Sequence, residues 1–325
     1  MNHSELARDI MVTHLVTLRP EMHVFDGIAH LLKHNITGAP VVDPKRNYLG
    51  VFSEKCCMSV LMLTARSACE GKKRLARCLH AKDFMATRLV TLSPEMDVFE
   101  AIGLLLKNRI SGAPVVDQQR NFLGIFSEKT SMQVLISAAY EQLPTCRVEA
   151  FMNKDPLRVI DEETSLLAIA QLFLDTPYRR LEVLRDGRLL GQISRRDVLR
   201  AEHHLSMYVH DHDENLARNS WMIHRSDSEE QSEQQPLPSP EVSSFMDQQA
   251  RTTDEETDFL QIARIFLDTP YRRLPVLRET ELVGQISRRD VLKTAHDLMA
   301  IAPKKSDSTL LYLSSLMERS DAPIQ

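Results

Sequence analysis

At 325 residues with 43% hydrophobic content, the chain can bury the cores of two ordinary domains. A formal net charge of -5 argues against a sequence-independent nucleic-acid binder, which needs an excess of Lys and Arg facing phosphates, while leaving room for a local basic pocket. The five cysteines, Cys56, Cys57, Cys69, Cys78 and Cys146, show no Cys-x-x-Cys spacing and no even framework, so reduced thiols are expected rather than zinc or disulfides.

The N-terminus lacks the apolar run of a signal peptide, and no stretch approaches the roughly 20 apolar residues of a membrane span. A cytoplasmic protein without a membrane partner is the expectation. Residues 9–61 and 83–135 align without a gap, and about two thirds of the positions are identical, the mark of a doubled unit. In the first copy Leu15-Val-Thr-Leu18 reads as a short strand. A helix follows, with Val24, Phe25, Ile28, Leu31 and Leu32 on one face. Ile36-Thr-Gly-Ala-Pro-Val-Val-Asp43 and Tyr48-Leu-Gly-Val-Phe52 read as two more strands, and a closing helix opens at Ser53. The order is β-α-β-β-α, and the second copy repeats it. The cations Lys72, Lys73, Arg74, Arg77 and Lys82 between the copies fit a solvated helical connector better than a nucleic-acid site.

The second half carries another doubled unit. From Asp161 and Asp254 onward about three quarters of the positions match, including Asp175-Thr-Pro-Tyr-Arg-Arg-Leu181 with Asp268-Thr-Pro-Tyr-Arg-Arg-Leu274. Gly191-Gln-Ile-Ser-Arg-Arg-Asp-Val-Leu199 returns letter for letter at Gly284 to Leu292. The helix faces read Leu166, Leu167, Ala170, Phe173, Leu174 and Phe259, Leu260, Ala263, Phe266, Leu267, again in the order β-α-β-β-α. The units are expected at 1–61, 83–140, 145–205 and 243–302, with a connector at 62–82. The acidic, Gln- and Pro-rich insertion at 206–242 cannot offset its ordering entropy and is expected to be disordered. His203, His204, His210 and His212 could be taken for metal ligands, but polar linkers collect such residues and no metal is expected. Trp221 is expected to anchor this connector on a domain, and the tail at 303–325 to contain a short docking helix.

Four such units, with Gly-Ala-Pro-Val-Val-Asp or Arg-Leu-Pro-Val-Leu before a turn and then Leu-Gly-x-Phe/Ile-Ser and a helix, resemble the CBS domain. The resemblance implies an α/β (α+β) fold of four units paired through their sheets into two Bateman modules, the first two repeats and then the last two. Four units without an attached catalytic domain are similar in organisation to the gamma subunit of AMP-activated protein kinase.

Ser194-Arg-Arg-Asp197 and Ser287-Arg-Arg-Asp290 open helices, and two readings stand side by side. One is capping, with Ser at the N-cap and the acid three residues on. The other comes from the resemblance, which implies that Asp197 and Asp290 accept from the two ribose hydroxyls of an adenosine nucleotide. The resemblance also implies that Arg179, Arg180, Arg272 and Arg273 reach phosphates, since paired arginines repel unless an anion or an acid compensates them. The competing reading is a surface pair bridged to Asp175 or Asp268. Arg195, Arg196, Arg288 and Arg289 add positive potential at the helix starts, where phosphate is already favoured. The first half has Thr37-Gly38 and Ser111-Gly112 in place of the arginines and Cys56 and Thr130 in place of the aspartates, leaving Lys55 and Lys129 as its nearby cations. It reads as a packing or partner-binding surface, or a site for a less charged ligand.

Neither a nucleophile with its base nor HExxH, a phosphate loop or GxGxxG occurs, so the expectation is a non-catalytic protein without cofactors. It would sense AMP, ADP or ATP in its second half and signal to an unidentified regulated protein, with a homodimer through the same modules as a further expectation. The rival reading is an interaction scaffold that binds no nucleotide.

Overall fold

The computed structural model describes residues 5–67, 79–140, 146–212 and 238–301. Trp221, the C-terminal tail and most of the basic connector and of the acidic insertion lie outside the described residues.

Unit 1 comprises α1 (Ala7–Ile10), α2 (Val24–Lys33), β1 (Gly38–Val42), β2 (Tyr48–Ser53) and α3 (Glu54–Ser67). Unit 2 repeats it as α4 (Ala81–Phe84), α5 (Val98–Lys107), β3 (Gly112–Val116), β4 (Phe122–Ser127) and α6 (Glu128–Tyr140). Unit 3 comprises α7 (Val148–Phe151), β5 (Val159–Asp161), α8 (Leu166–Asp175), β6 (Arg180–Arg185), β7 (Arg188–Ser194) and α9 (Arg195–His212). Unit 4 comprises β8 (Thr253–Asp254), α10 (Phe259–Asp268), β9 (Arg273–Arg278), β10 (Glu281–Ser287) and α11 (Arg288–Ile301).

The expected first strand is full only in the second half, where β5 and β8 run parallel to β6 and β9. In unit 1 it shrinks to a single bridge, Leu18 to Val41, and in unit 2 to Leu92 with Val115. A proline two residues on, Pro20 or Pro94, has no N–H to extend the ladder. The helix faces follow the expected spacing with one exception. Phe25 is 39% exposed, because the buried line of α2 runs through Val24, Gly27 and Leu31. The starts of α8 and α10 are capped by side chains: Ser165 accepts from the Ala168 N–H and Asp258 from the Gln261 N–H, satisfying donors that helix geometry leaves open.

The units do not pair in tandem. Sheet contacts join unit 1 to unit 4 and unit 2 to unit 3, which corrects the expected grouping of the first two and the last two repeats. The segment leading into unit 1 bridges to unit 4 at Leu6–Asp258 and Val12–Gln285, and the segment leading into unit 4 bridges back at His23–Glu241 and Val51–Asp247. Units 2 and 3 make the same exchange at His80–Ser165, Ala86–Gln192, Asp97–Arg147 and Ile125–Asn153. These crossings pass so close over the second strands that a side chain is excluded. A Cβ at Gly50 would lie 2.7 Å from the Asp247 carbonyl oxygen, and one at Gly284 2.4 Å from Met11 Sδ. This is the physical content of the Leu-Gly and Gly-Gln phrases.

The helix faces combine the units differently. One apolar core runs through units 1 and 3, with Phe52, Met58, Leu166 and Phe173, and the other through units 2 and 4, with Phe126, Met132, Phe266 and Val291. Helix α3 packs on α8 and α9, and α6 on α10 and α11. The order around the molecule is therefore 1, 4, 2, 3, with sheet and helix contacts alternating and units 3 and 4 on a diagonal.

Charge differs between the halves at one helix position. Where the second half has Arg195 and Arg288 at the first position of its closing helices, the first half has Glu54 and Glu128. Each observed contact joins a first-half unit to a second-half one, and the helix-packed contacts offer a carboxylate to the guanidiniums.

Candidate functional site

Strand register places the charged groups. β6 and β7 pair with Arg180 opposite Ser194, and β9 and β10 with Arg273 opposite Ser287. The arginine pairs thus stand beside the helix starts that carry Arg196, Asp197, Arg289 and Asp290. Each doublet then divides between two neighbours. Arg179 reaches Glu54 of the helix-packed unit 1 at 3.3 Å, while Arg180 donates to the Gly112 carbonyl of the sheet-packed unit 2 at 2.9 Å. In the other doublet, Arg272 donates through two nitrogens to Glu128 at 2.9 and 3.1 Å, and Arg273 donates to the Gly38 carbonyl at 3.0 Å.

The second arginine of each helix start completes the pattern. Arg196 reaches Glu54 at 3.1 Å and also donates to Asn35, and Arg289 reaches Glu128 at 3.3 Å. Glu54 and Glu128 are 5% and 2% exposed. They were not singled out in the sequence, although each stands at the helix start where the second half carries Arg195 or Arg288. The competing reading had named Asp175 and Asp268 as the bridging acids, and this is corrected: Asp175 accepts instead from Gln171 at 2.8 Å.

Arg195 and Arg288 are buried. They donate to carbonyls at the ends of α8 and α10, Arg195 to Phe173 and Thr176, Arg288 to Phe266 and Thr269. Burial, and then the charge of Arg179, push Arg195 down to about 10. Arg179 itself is lowered to about 10 by burial and next by Arg272, with Glu54 and Glu128 opposing. Arg273 is also lowered to about 10, by burial, then Arg272, then Arg179. The doublets of units 3 and 4 therefore feel each other across the molecular centre. Buried nitrogens of Arg195, Arg196, Arg288 and Arg289 have no hydrogen-bond partner, a costly state for a cation's donors.

Two cavities open on this cluster. The one between units 1 and 4, about 390 Å³, is lined by Thr37, Ser53 and Lys55 from unit 1 and by Tyr271, Arg273 and Gln285 from unit 4. The one between units 2 and 3, about 240 Å³, is lined by Ser111, Ser127 and Lys129 from unit 2 and by Arg180, Glu182 and Gln192 from unit 3. Pro177, Arg179, Pro270 and Arg272 line both, so the cavities share an arginine wall. Both second-half units line each cavity through this wall, and the first half, read as a packing or partner-binding surface or a site for a less charged ligand, supplies one side of each.

Ser194 and Asp197 make the capping box in full. Asp197 Oδ2 accepts from the Ser194 N–H at 2.8 Å and from its hydroxyl at 2.7 Å. Ser287 and Asp290 repeat it at 2.7 Å each. Neither aspartate lines either of these two cavities. Among the described residues no group of three or more His, Cys, Asp or Glu side chains is placed to hold a metal ion, and no helix is long and apolar enough to cross a membrane.

The CBS domain model matches residues 7–63, 81–130, 148–204 and 242–297, more than half of the chain. The chain belongs to the CBS domain family. It is similar to protein MJ1225 of Methanocaldococcus jannaschii, 22% identical over 213 residues that cover 65% of this chain and 68% of that one. It is also similar to the chloroplastic CBS domain-containing protein CBSX1 of Arabidopsis thaliana, 32% identical over 151 residues that cover 37% of this chain and 62% of the other, short of two thirds of its length. Among solved structures, CBSX2 of Arabidopsis thaliana in complex with AMP is 32% identical, covers 39% of this chain and 98% of its own, and has a TM-score of 0.34.

Proposed function

We propose that the protein is a non-catalytic regulatory sensor of an adenine nucleotide, whose phosphates lie on the central arginine wall and whose state is passed to a partner protein. The observation that carries this reading is that wall. Arg179 and Arg272 pair with two carboxylates, Glu54 and Glu128, which are also shared with Arg196 and Arg289, while Arg180 and Arg273 donate to backbone carbonyls. Positive charge therefore exceeds negative in an enclosed site, and a phosphate supplies the missing charge and acceptors. The adenosine half of the ligand rests on the family resemblance, as do the ribose role of Asp197 and Asp290 and the likeness in organisation to the gamma subunit of AMP-activated protein kinase.

A scaffold that binds no nucleotide is the second reading, and Glu54 and Glu128 favour it, because they engage four guanidiniums without any ligand. A thermal-shift series on the full chain with AMP, ADP, ATP, GTP and S-adenosylmethionine separates the two. A nucleotide at about 100 times its Kd stabilises by about 2.7 kcal/mol. Arg272→Ala, which alters both cavities, is expected to weaken that nucleotide by tenfold or more, on the order of 1.5–3 kcal/mol. Five flat responses from a folded wild type leave the scaffold reading standing.

A further inference from the structure

The two cavities are built from repeated letters, yet at one strand position the residue lines only one of them. Glu182 on β6 stands where β9 has Pro275. It is fully buried, its Oε1 accepts from Gln192 Nε2 at 2.6 Å, and its Oε2 has no hydrogen-bond partner. The residue lines the cavity between units 2 and 3. Alternation along a strand puts it on the same face as Arg180, about 7 Å further on. Arg158, held at 2.8 Å by Asn153 and stacked 3.9 Å over the Tyr178 ring, lines the same cavity.

Burial raises the Glu182 carboxyl to about 7, with Gln192, Arg180 and Arg158 opposing. A carboxyl kept without a second partner in such a place costs stability, and a ligand N–H would relieve that cost. One unpaired oxygen suits one donor. At about 240 Å³ the cavity is smaller than the roughly 300 Å³ at which cofactor sites begin. A nucleotide entering base first would therefore leave its phosphates on the shared wall of Arg179 and Arg272.

Resting on the nucleotide reading above, we propose that the cavity between units 2 and 3 is the base-selective one, in which Glu182 Oε2 accepts from the exocyclic amine of adenine. Hypoxanthine presents a carbonyl oxygen at that position and meets an acceptor with an acceptor. The cavity between units 1 and 4, with Pro275 in that place, makes no such distinction.

The test is calorimetric titration of the full chain at pH 8 with AMP and with IMP, in wild type and in Glu182→Gln. An amide at 182 still accepts from Gln192 and can turn its NH₂ towards a carbonyl oxygen, so the fold is preserved while the selection is removed. The expected result is a wild-type preference for AMP of about tenfold or more that collapses in the variant. An unchanged AMP-to-IMP ratio in Glu182→Gln overturns the inference and leaves the nucleotide reading intact. No binding of either nucleotide to wild type overturns both. As a control on the other cavity, Pro275→Ala is expected to leave the ratio unchanged, and a ratio that moves with Pro275 instead of Glu182 overturns the assignment of the selective cavity.

Discussion

The cavity between units 1 and 4 and the cavity between units 2 and 3 share an arginine wall but differ in what stands opposite it. The first is the larger and has Asp247 and Ala250 in its lining; the second is smaller and contains Glu182 and Arg158, while a lysine and a tyrosine recur in both, Lys55 and Tyr271 in the first and Lys129 and Tyr178 in the second. Duplication produced equivalent backbones, and single substitutions then made the sites unequal. The same holds for the carboxylates: Glu128 grips Arg272 through both oxygens, whereas Glu54 divides its oxygens between Arg179 and Arg196. Each half of the molecule is thus the other's control.

The largest effect is expected from removing one of these acids. Glu128→Gln leaves Arg272 and Arg289 enclosed without their counter-charge and should cost about 3–5 kcal/mol, the range for breaking a buried pair from one side. Glu54→Gln should cost less, because Arg179 sits at 3.3 Å and makes a single contact. Urea unfolding of both variants measures the difference, and equal losses would remove the distinction between the two acids.

Glu182 gives the next effect, with opposite sign. Its folded value, about 7 against an ordinary 4.5, means that the folded state holds a proton which the unfolded chain releases. Stability from this group therefore falls as pH rises from about 4.5 through 7, and the full penalty is present above that window. Glu182→Gln should gain about 3 kcal/mol at pH 8 and almost nothing at pH 4. A gain independent of pH would show that packing, not ionisation, is responsible.

The sheet crossings supply a third, smaller effect. Gly50→Val would push against the Asp247 carbonyl and should cost about 1–3 kcal/mol, as other overpacked sites do. Hydrogen exchange should show the loosening first at the bridge between Val51 and Asp247, leaving that between Ile125 and Asn153 protected. Loosening at the boundary of units 1 and 2 would contradict the ring order.

The smallest expected effect bears on ribose. Asp290→Asn keeps the side-chain oxygen that caps α11, so stability should change by only about 0.5 kcal/mol. Nucleotide affinity in the same variant then reports the ribose role alone. If it stays at the wild-type value, Asp290 is a cap and nothing more.

Much of this molecule was legible in its letters. The four units, the β-α-β-β-α order, the turn after Val42 and the capping boxes at Ser194 and Ser287 are local, set by periodicity of 2 or 3.6 residues and by side chains that reach three positions along the chain. Glu182 against Pro275 was also visible, as one of the mismatches between near-identical copies, but nothing in the sequence said that the position was buried. The partners of the arginines were not legible either. Arg179 and Glu54 are 125 residues apart, Arg272 and Glu128 144, and likeness between tandem repeats reports their duplication rather than their contacts. Which unit meets which was decided in three dimensions. The glycines of the second strands admit a neighbour's backbone at Gly50 and Gly124, and the helix-packed neighbours bring Glu54 and Glu128 to the arginines, contacts that only the folded chain assembles.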